Sequence, residues 1–286
     1  MTLSVLINAS AVYTGKELLK DAYVYIEDGV IKEVGPQPAP DEAQAATLLL
    51  GGEGRVVVPG LTAVADVAAY PIRFRRPNIS ERLQYYKSLS DRELFTASLP
   101  GVYELHLMGV TTIFVESLSP SLPVELSRRI GGFYGAARPS CAEPYAVQPI
   151  LRGLLTIGGD GCPGGDVNDG QDELLVLTGR PGYQLDSLGD VLEKSQRLRR
   201  LVGLQEARVE PQQVAELVVY DTSKPPAMMM YAAGPDEIKG IYLTHASVES
   251  VIAGMDILVE MGEHMRIGRK HLNEAMHLYR NLKLAR

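Results

Sequence analysis

Arg55-Val56-Val57-Val58-Pro59-Gly60-Leu61-Thr62-Ala63-Val64-Ala65-Asp66-Val67 is the stretch on which the reading of this chain turns. Three valines in a row ahead of Pro-Gly predict a buried strand with a tight exit. Contiguous β-branched side chains suit a strand covered on both faces, and Pro-Gly ends its pairing. Upstream, Val5-Leu6-Ile7, Tyr23-Val24-Tyr25-Ile26 and Val30-Ile31-Lys32-Glu33-Val34 read as short strands, the last two joined as a hairpin with Asp28-Gly29 at its tip. Pro36, Pro38 and Pro40 break that pattern, and Ala43 to Leu50 leads back into the valine strand.

Downstream the period changes. Ser90-Asp91-Arg92-Glu93 is a capping box, and Leu94, Ala97, Leu99, Val102 and Leu105 form one helical face, with Pro100 expected to kink or restart the helix. A β-branched strand, Val110 to Val115, follows at once, then a helix near Pro123 to Ile130 and a strand near Phe133 to Ala137. Strand, helix, strand in alternation is the grammar of an α/β protein with a parallel sheet. Leu154-Leu155-Thr156-Ile157 reads as another strand, running into Gly158-Gly159-Asp160-Gly161-Cys162-Pro163-Gly164-Gly165-Asp166. A helix is expected from about Leu185 to Leu204. Strands follow at Glu216 to Tyr220, Ile238 to Leu243 and Val248 to Val259, and a helix closes the chain from about Arg269 to Leu282.

The bulk numbers narrow the function. The 286 residues are 45% hydrophobic, enough for a real core, and 35 acidic against 28 basic residues give a net charge of −7. Phosphate binding is driven by clustered Lys and Arg, so a primary nucleic-acid role is not expected. The short runs at Arg73 to Arg76 and Arg197 to Arg200 read as a solvated loop and a solvated helix face. The apolar start, Leu3 to Ile7, lacks a basic leader and is too short for a membrane span, so a cytoplasmic protein with no membrane partner is expected. Cys141 and Cys162 have no CxxC or Cys/His spacing, which implies neither a disulfide framework nor a structural zinc.

Strand-rich ends wrapped around an α/β middle resemble the amidohydrolase superfamily, in its composite-domain branch with the triazine hydrolases and adenosylhomocysteine deaminases. Leu6 to Gly35 looks like the opening hairpin, Val56 to Leu61 like the lead into the first barrel strand, and Leu89 to Glu116 like the first barrel helix and second strand. Gly158 to Cys162 resembles the loop after the last barrel strand, and Ala215 to Asp221 the re-entry into the composite sheet. The fold implied is α/β: a truncated (β/α) barrel, a remnant of a TIM barrel, of residues 59–205 inserted in a composite β-sandwich domain of 1–58 and 206–265. A C-terminal helix of 266–286 completes it.

The departures from that family carry the functional reading. Where it places a His-x-His metal pair, this chain has Ala65 and Val67, whose methyl and isopropyl groups cannot ligate a metal. The five histidines are His106, His245, His264, His271 and His277, so the middle-strand ligands are missing as well. Asp160 matches the aspartate after the last barrel strand, and without a metal it lacks the Lewis acid that activates water. The carboxylates Asp160, Asp166, Asp169, Asp172 and Glu173 have the chemistry to hold calcium or magnesium, although Gly170 falls one position early for an EF-hand. No nucleophile elbow, Walker loop or dinucleotide fingerprint replaces the lost site.

An eight-stranded barrel takes about 250 residues, and the stretch from Pro59 to Gln205 offers about 150. On the family template this keeps strands one, two, three and eight, with Leu154 to Ile157 as the eighth. They form an arc in the order eight, one, two, three, open at both sides and bare on its concave face. The expectation is a catalytically degenerate homologue, a pseudoenzyme without cofactor. Its role would be assembly, scaffolding or regulation, as an obligate homo-oligomer or in complex with a full-length relative. One alternative is a hydrolase or deaminase of changed, metal-poor chemistry on the carbon-nitrogen bonds of a small cyclic substrate, using Asp160, Cys162, Arg73, Arg75 and Arg76. The other is a non-catalytic module binding a small ring.

Overall fold

The computed structural model describes residues 3–68, 84–117, 121–139, 148–157, 176–178, 188–223 and 248–281. Asp160, Cys162, Arg73, Arg75, Arg76, Cys141, the carboxylates at 166–173 and the strand expected at Ile238 to Leu243 lie outside these. Among the described residues no helix is long and apolar enough to cross a membrane.

Two sheets organise the chain. The first opens with β1 (Ser4–Tyr13), β2 (Leu18–Glu27), β3 (Val30–Pro36) and, after the short helix α1 (Asp41–Gln44), β4 (Leu48–Pro59). The same sheet is completed from the far end of the sequence by β10 (Glu216–Asp221), β11 (Val248–Ala253), β12 (Asp256–Glu260) and β13 (Glu263–His264). Its order is β13-β12-β11-β10-β4-β1-β2-β3, one continuous sheet where the sequence suggested a sandwich of two. The run Val248 to Val259, read as one strand, is two strands, because Gly254 takes φ +63 and turns the chain. Among the described residues only β1 and β4 pair in parallel within this sheet; Leu217 to Asp221 runs antiparallel to Pro59 to Arg55.

This sheet curls so that the β2–β3 hairpin tip meets the lead into β10 and the β11–β12 turn. Asp28 (φ +49) and Gly29 (φ +75) form the left-handed two-residue turn that hairpins favour. A Cβ on Gly29 would lie 2.7 Å from the carbonyl carbon of Gly254, so the hairpin tip fits against the β11–β12 turn only as glycine. Ala215 donates its N–H to Gly29 O at 2.9 Å, and Ile31 to Gln213 O. Val5, Ile7, Ile26, Val57, Leu217, Val219 and Ile252 fill the interior of the curl, while Val56, Val58, Val218, Tyr220 and Val251 point the other way into a second core. The valine strand therefore serves two cores at once, as its unbroken apolar run required.

The second sheet is wholly parallel, in the order β8-β7-β6-β5-β9. Its members are β5 (Leu61–Ala65), β6 (Val110–Glu116), β7 (Phe133–Pro139), β8 (Leu154–Ile157) and β9 (Val176–Thr178). Helix α2 (Asp91–Leu107) links β5 to β6 and α3 (Ser121–Ile130) links β6 to β7. The Ser90 and Glu93 side chains cap α2 reciprocally, as expected. Pro100 neither ends nor restarts it: a proline costs its helix one N–H bond, and packing of Leu94, Leu99, Val102 and Leu105 carries the helix through.

Two expectations are overturned here. Leu154–Ile157 was assigned as the last barrel strand, next to β5. It pairs instead with β7 at the opposite edge, and the place beside β5 belongs to Val176–Thr178. Five strands are thus present rather than four, and β8 and β9 do not pair with each other, so the sheet is an open arc among the described residues. Nor is its second face bare. Helix α4 (Leu188–Leu201) lays Leu198 on Val64, Phe114 and Ala137, and Val202 and Leu204 pack beside it. Phe114 reaches over Gly135, where a Cβ would stand 2.3 Å from its ring.

Candidate functional site

In parallel α/β sheets ligands bind at the carboxyl ends of the strands, while the amino ends are a place of stability. The two ends of this arc differ accordingly. At the amino end Glu216 enters from β10, buried at 2% exposure. Arg199 of α4 donates to both of its oxygens at 2.9 Å, the Thr111 and Thr112 hydroxyls donate to Oε2 at 3.0 and 2.7 Å, and Arg152 stands 3.5 Å away. Burial raises the Glu216 pKa, but the charge and hydrogen bonds of Arg199, with help from Arg152 and Thr112, outweigh it and hold the carboxyl below its ordinary value. Arg199 also donates to Thr62 Oγ1 at 3.0 Å, and Ser195 Oγ accepts from Thr62 N at 2.7 Å. This knot ties α4 and both sheets together, so Arg199, read from sequence as part of a solvated face, is instead buried.

At the carboxyl end the chain places Asp66 directly after β5, Glu116 at the end of β6, Ser117 after it, and Arg138 on β7. The register aligns Ala65 with Val115 and Glu116 with Ala137, so Asp66 falls beside Glu116 on the neighbouring strand, about 5 Å away, while Ser117 and Arg138 lie one position on and alternate to the other face. Asp66, Glu116 and Ser117 are all buried. Tyr85 adds a buried phenol whose pKa rises through burial and then through the charge of Asp66. It therefore stays protonated, and its Oη has no hydrogen-bond partner among the described residues. Two carboxylates and a phenol donor can orient a polar ligand or accept a proton.

Ala65 and Val67 alternate with Asp66 and turn away from that cluster. Both are 0% exposed and belong to the core shared with α2, where Val67 lies so close to Gly101 that a Cβ there would meet its carbonyl oxygen at 2.9 Å. A transition-metal centre does not fit these positions, because their side chains have no donor atoms and face a helix. Asp66 and Glu116 are hard oxygen donors, yet no group of three or more His, Cys, Asp or Glu among the described residues is placed to hold a metal. The sequence reading missed Asp66, Glu116 and Tyr85. The available signal was position: Asp66 follows and Glu116 ends parallel strands that are buried at every position.

His106 is wholly buried on α2 and meets His264 of β13 across 2.9 Å. Nδ1 of His264 accepts from the N–H groups of Arg266 and Ile267, both at 3.1 Å, so in the neutral ring the proton sits on Nε2 and is donated to His106 Nδ1. That leaves His106 Nε2–H without a partner among the described residues. Burial, then the neighbouring Arg266 and His271 charges, push the His264 pKa down to about 4, and burial with His264 holds His106 well below its usual value.

No protein-family model and no curated protein matches the sequence. Solved structures do match the fold. Atrazine chlorohydrolase from Arthrobacter aurescens TC1, complexed with zinc, superposes with a TM-score of 0.71 at 12% identity, over 96% of this chain and 100% of that one. A triazine hydrolase variant gives 0.71 at 11% identity, over 97% and 99%. An adenosine deaminase from Xanthomonas campestris with bound zinc gives 0.66 at 10%, over 96% and 98%. All three are amidohydrolase-superfamily proteins, and the chain has their fold.

Proposed function

We propose that this chain is an amidohydrolase-fold protein that has given up catalysis and acts through assembly, as a scaffold or regulator of a partner. The observation that carries the reading is the burial of Ala65 and Val67 at the end of β5, on the side away from the polar cluster. Fold likeness alone does not transmit activity; the site does, and here the ligand positions have become core. The reading takes residues 1–58 with 206–265 as a composite domain, residues 59–205 as a truncated barrel and residues 266–286 as an appended helix. It places the protein in the cytoplasm. Assembly proceeds through β8 and β9, the edge strands among the described residues, with a second copy or a full-length relative, since the face opposite α2 and α3 is covered by α4.

Elemental analysis of the purified protein should find no stoichiometric zinc, iron or nickel, and a panel of cyclic amides, amidines and aminopurines should not be hydrolysed. One transition metal per chain, or turnover above background, would sink the reading. The Ala65→His/Val67→His double variant should bind no metal and lose stability, because imidazoles would be forced into the core beneath α2.

A second reading is favoured by the buried pair Asp66 and Glu116 beside Tyr85: a hydrolase of changed chemistry, with one carboxylate as base and the phenol as donor. If any hydrolytic activity is found, Asp66→Asn and Glu116→Gln should each lower kcat by at least about a hundredfold. Activity unchanged in both would return the assignment to the non-catalytic reading.

A further inference from the structure

Charge is not spread evenly along this chain. Residues 1–58 with 206–265 hold 18 acidic and 7 basic side chains, residues 59–205 hold 16 and 15, and residues 266–286 hold 1 and 6. A tail of net +5 is thus attached to a sheet domain of net −11. Within the sheet domain most described cations are already engaged: Lys16 pairs with Glu210, Lys32 with Glu27, Arg55 with Asp221 and Glu249, and Arg208 with Glu206. Asp21, Asp28, Asp41, Glu42 and Glu53 are exposed and have no ion-pair partner among the described residues.

The cations of the tail are fixed facing outward. Helix α5 (Arg269–Asn281) lays one side on the protein: Leu272 joins the core around α2, Ala275 is fully buried, and Tyr279 Oη donates to Ala97 O of α2 at 2.5 Å. On the opposite side Arg269, Asn273, His277 and Arg280 follow at spacings of four, four and three residues, which aligns them in one stripe with Lys270 beside it. All five are exposed, and Arg269, Lys270 and Arg280 have no ion-pair partner among the described residues. Among those residues the ion pair joining the tail to its own sheet is Arg266 with Asp256, at 3.8 Å. Anchored in this way, the stripe is presented to another molecule.

We infer that the outer face of α5 docks on the acidic sheet domain of a second copy of this chain. The inference rests on the assembly reading and adds to the strand-edge contact a separate one, electrostatic and lost at high salt. Charge complementarity selects the occupant: two copies of net −7 repel on average, but a +5 tail set against a −11 domain attracts. The tail of one copy meets a different surface on the next, so the contact is heterologous and joins copies head to tail. Exposed ion pairs are individually weak, which makes this contact transient. Its reach follows the screening length, about 30 Å at 10 mM salt and about 8 Å at 150 mM.

Static light scattering of the full chain over a salt series at fixed pH tests the inference. A chain with its negative charge evenly spread repels itself most at low salt; head-to-tail docking reverses that, so the apparent mass should rise as salt falls below about 150 mM. The variant Arg269→Gln/Lys270→Gln/Arg280→Gln should lose the rise. Lys87→Gln/Arg92→Gln/Arg128→Gln, the same change in net charge at exposed positions of the arc, should keep it. Mass that persists at high salt reports the strand edges instead, so the two contacts fail separately. No rise at low salt, a rise that the tail variant keeps, or a rise that both variants lose overturns the docking. Tail-dependent binding of the wild-type chain to phosphatidylserine vesicles or to a short DNA duplex at about 150 mM salt also overturns it, by assigning the face to that partner.

Discussion

At the scale of single residues, the buried polar contacts make this protein sensitive to acid in a calculable way. His106 and His264 are neutral in the fold and ordinary histidines in the unfolded chain, so below about pH 6.5 the unfolded state binds more protons. Their contribution is complete above that pH and is lost as pH falls toward the folded values. For His264 alone, a drop from 6.5 to about 4 is about 3 kcal/mol. Urea unfolding at a series of pH values should therefore show stability falling between pH 6.5 and 4, and His264→Gln should flatten that slope by about one proton; an unchanged slope would refute the assignment. Glu216→Gln should cost about 3–5 kcal/mol, because it strands Arg199 among buried threonines, while the double variant Glu216→Leu/Arg199→Met should recover much of the loss. Neither pair was legible in the sequence. His106 and His264 are 158 positions apart, and nothing in a local pattern records which helix a strand will touch.

Elements were legible wherever local pattern and burial agree. The Val56 to Leu61 run, the capped helix after Ser90, the Val110 to Val115 strand and the Asp28-Gly29 hairpin are all found where their chemistry put them. What failed was neighbour choice. Leu154–Ile157 looks like any apolar strand, and only tertiary pairing with β7 reveals its edge position, while the three residues of β9 are too few to show any period. The correction bears on Asp160, which follows β8 and not the strand beside β5. After β9 the sequence reads Gly179-Arg180-Pro181-Gly182, with no carboxylate before Asp186. Asp66 and Glu116 are single carboxylates at strand ends, 50 positions apart, and carry no local spacing that marks a site. Helix α4 matters most among the elements, since it covers the second face of the parallel sheet. Leu198→Ala should cost about 2–5 kcal/mol by opening a cavity against Val64, Phe114 and Ala137, read as a lower urea midpoint. A cost under about 1 kcal/mol would mean that α4 is not what covers the arc.

For the whole molecule, the decisive fact is that the two ends of the chain share one sheet and one core. A fragment ending at Gln205 would lose Leu217, Val219 and Ile252 from the curl around Val57 and should be insoluble; a soluble, cooperatively unfolding fragment would contradict the composite arrangement. Light scattering over a dilution series tests assembly: with the second face covered by α4, any oligomer should rest on the strand edges, and a charged residue at Leu154 on β8 should dissociate it. The shared sheet also sets a timetable for synthesis. Strand β4 leaves the ribosome with β1 on one side and nothing on the other until Glu216 to Asp221 emerges. At about 5–20 residues per second, the intervening 150 or so residues take roughly 8–30 s. For that interval the nascent chain presents the Val56-Val57-Val58 edge to the cell, and the translation speed of its middle segment, as much as its final stability, governs how much of it reaches the folded state.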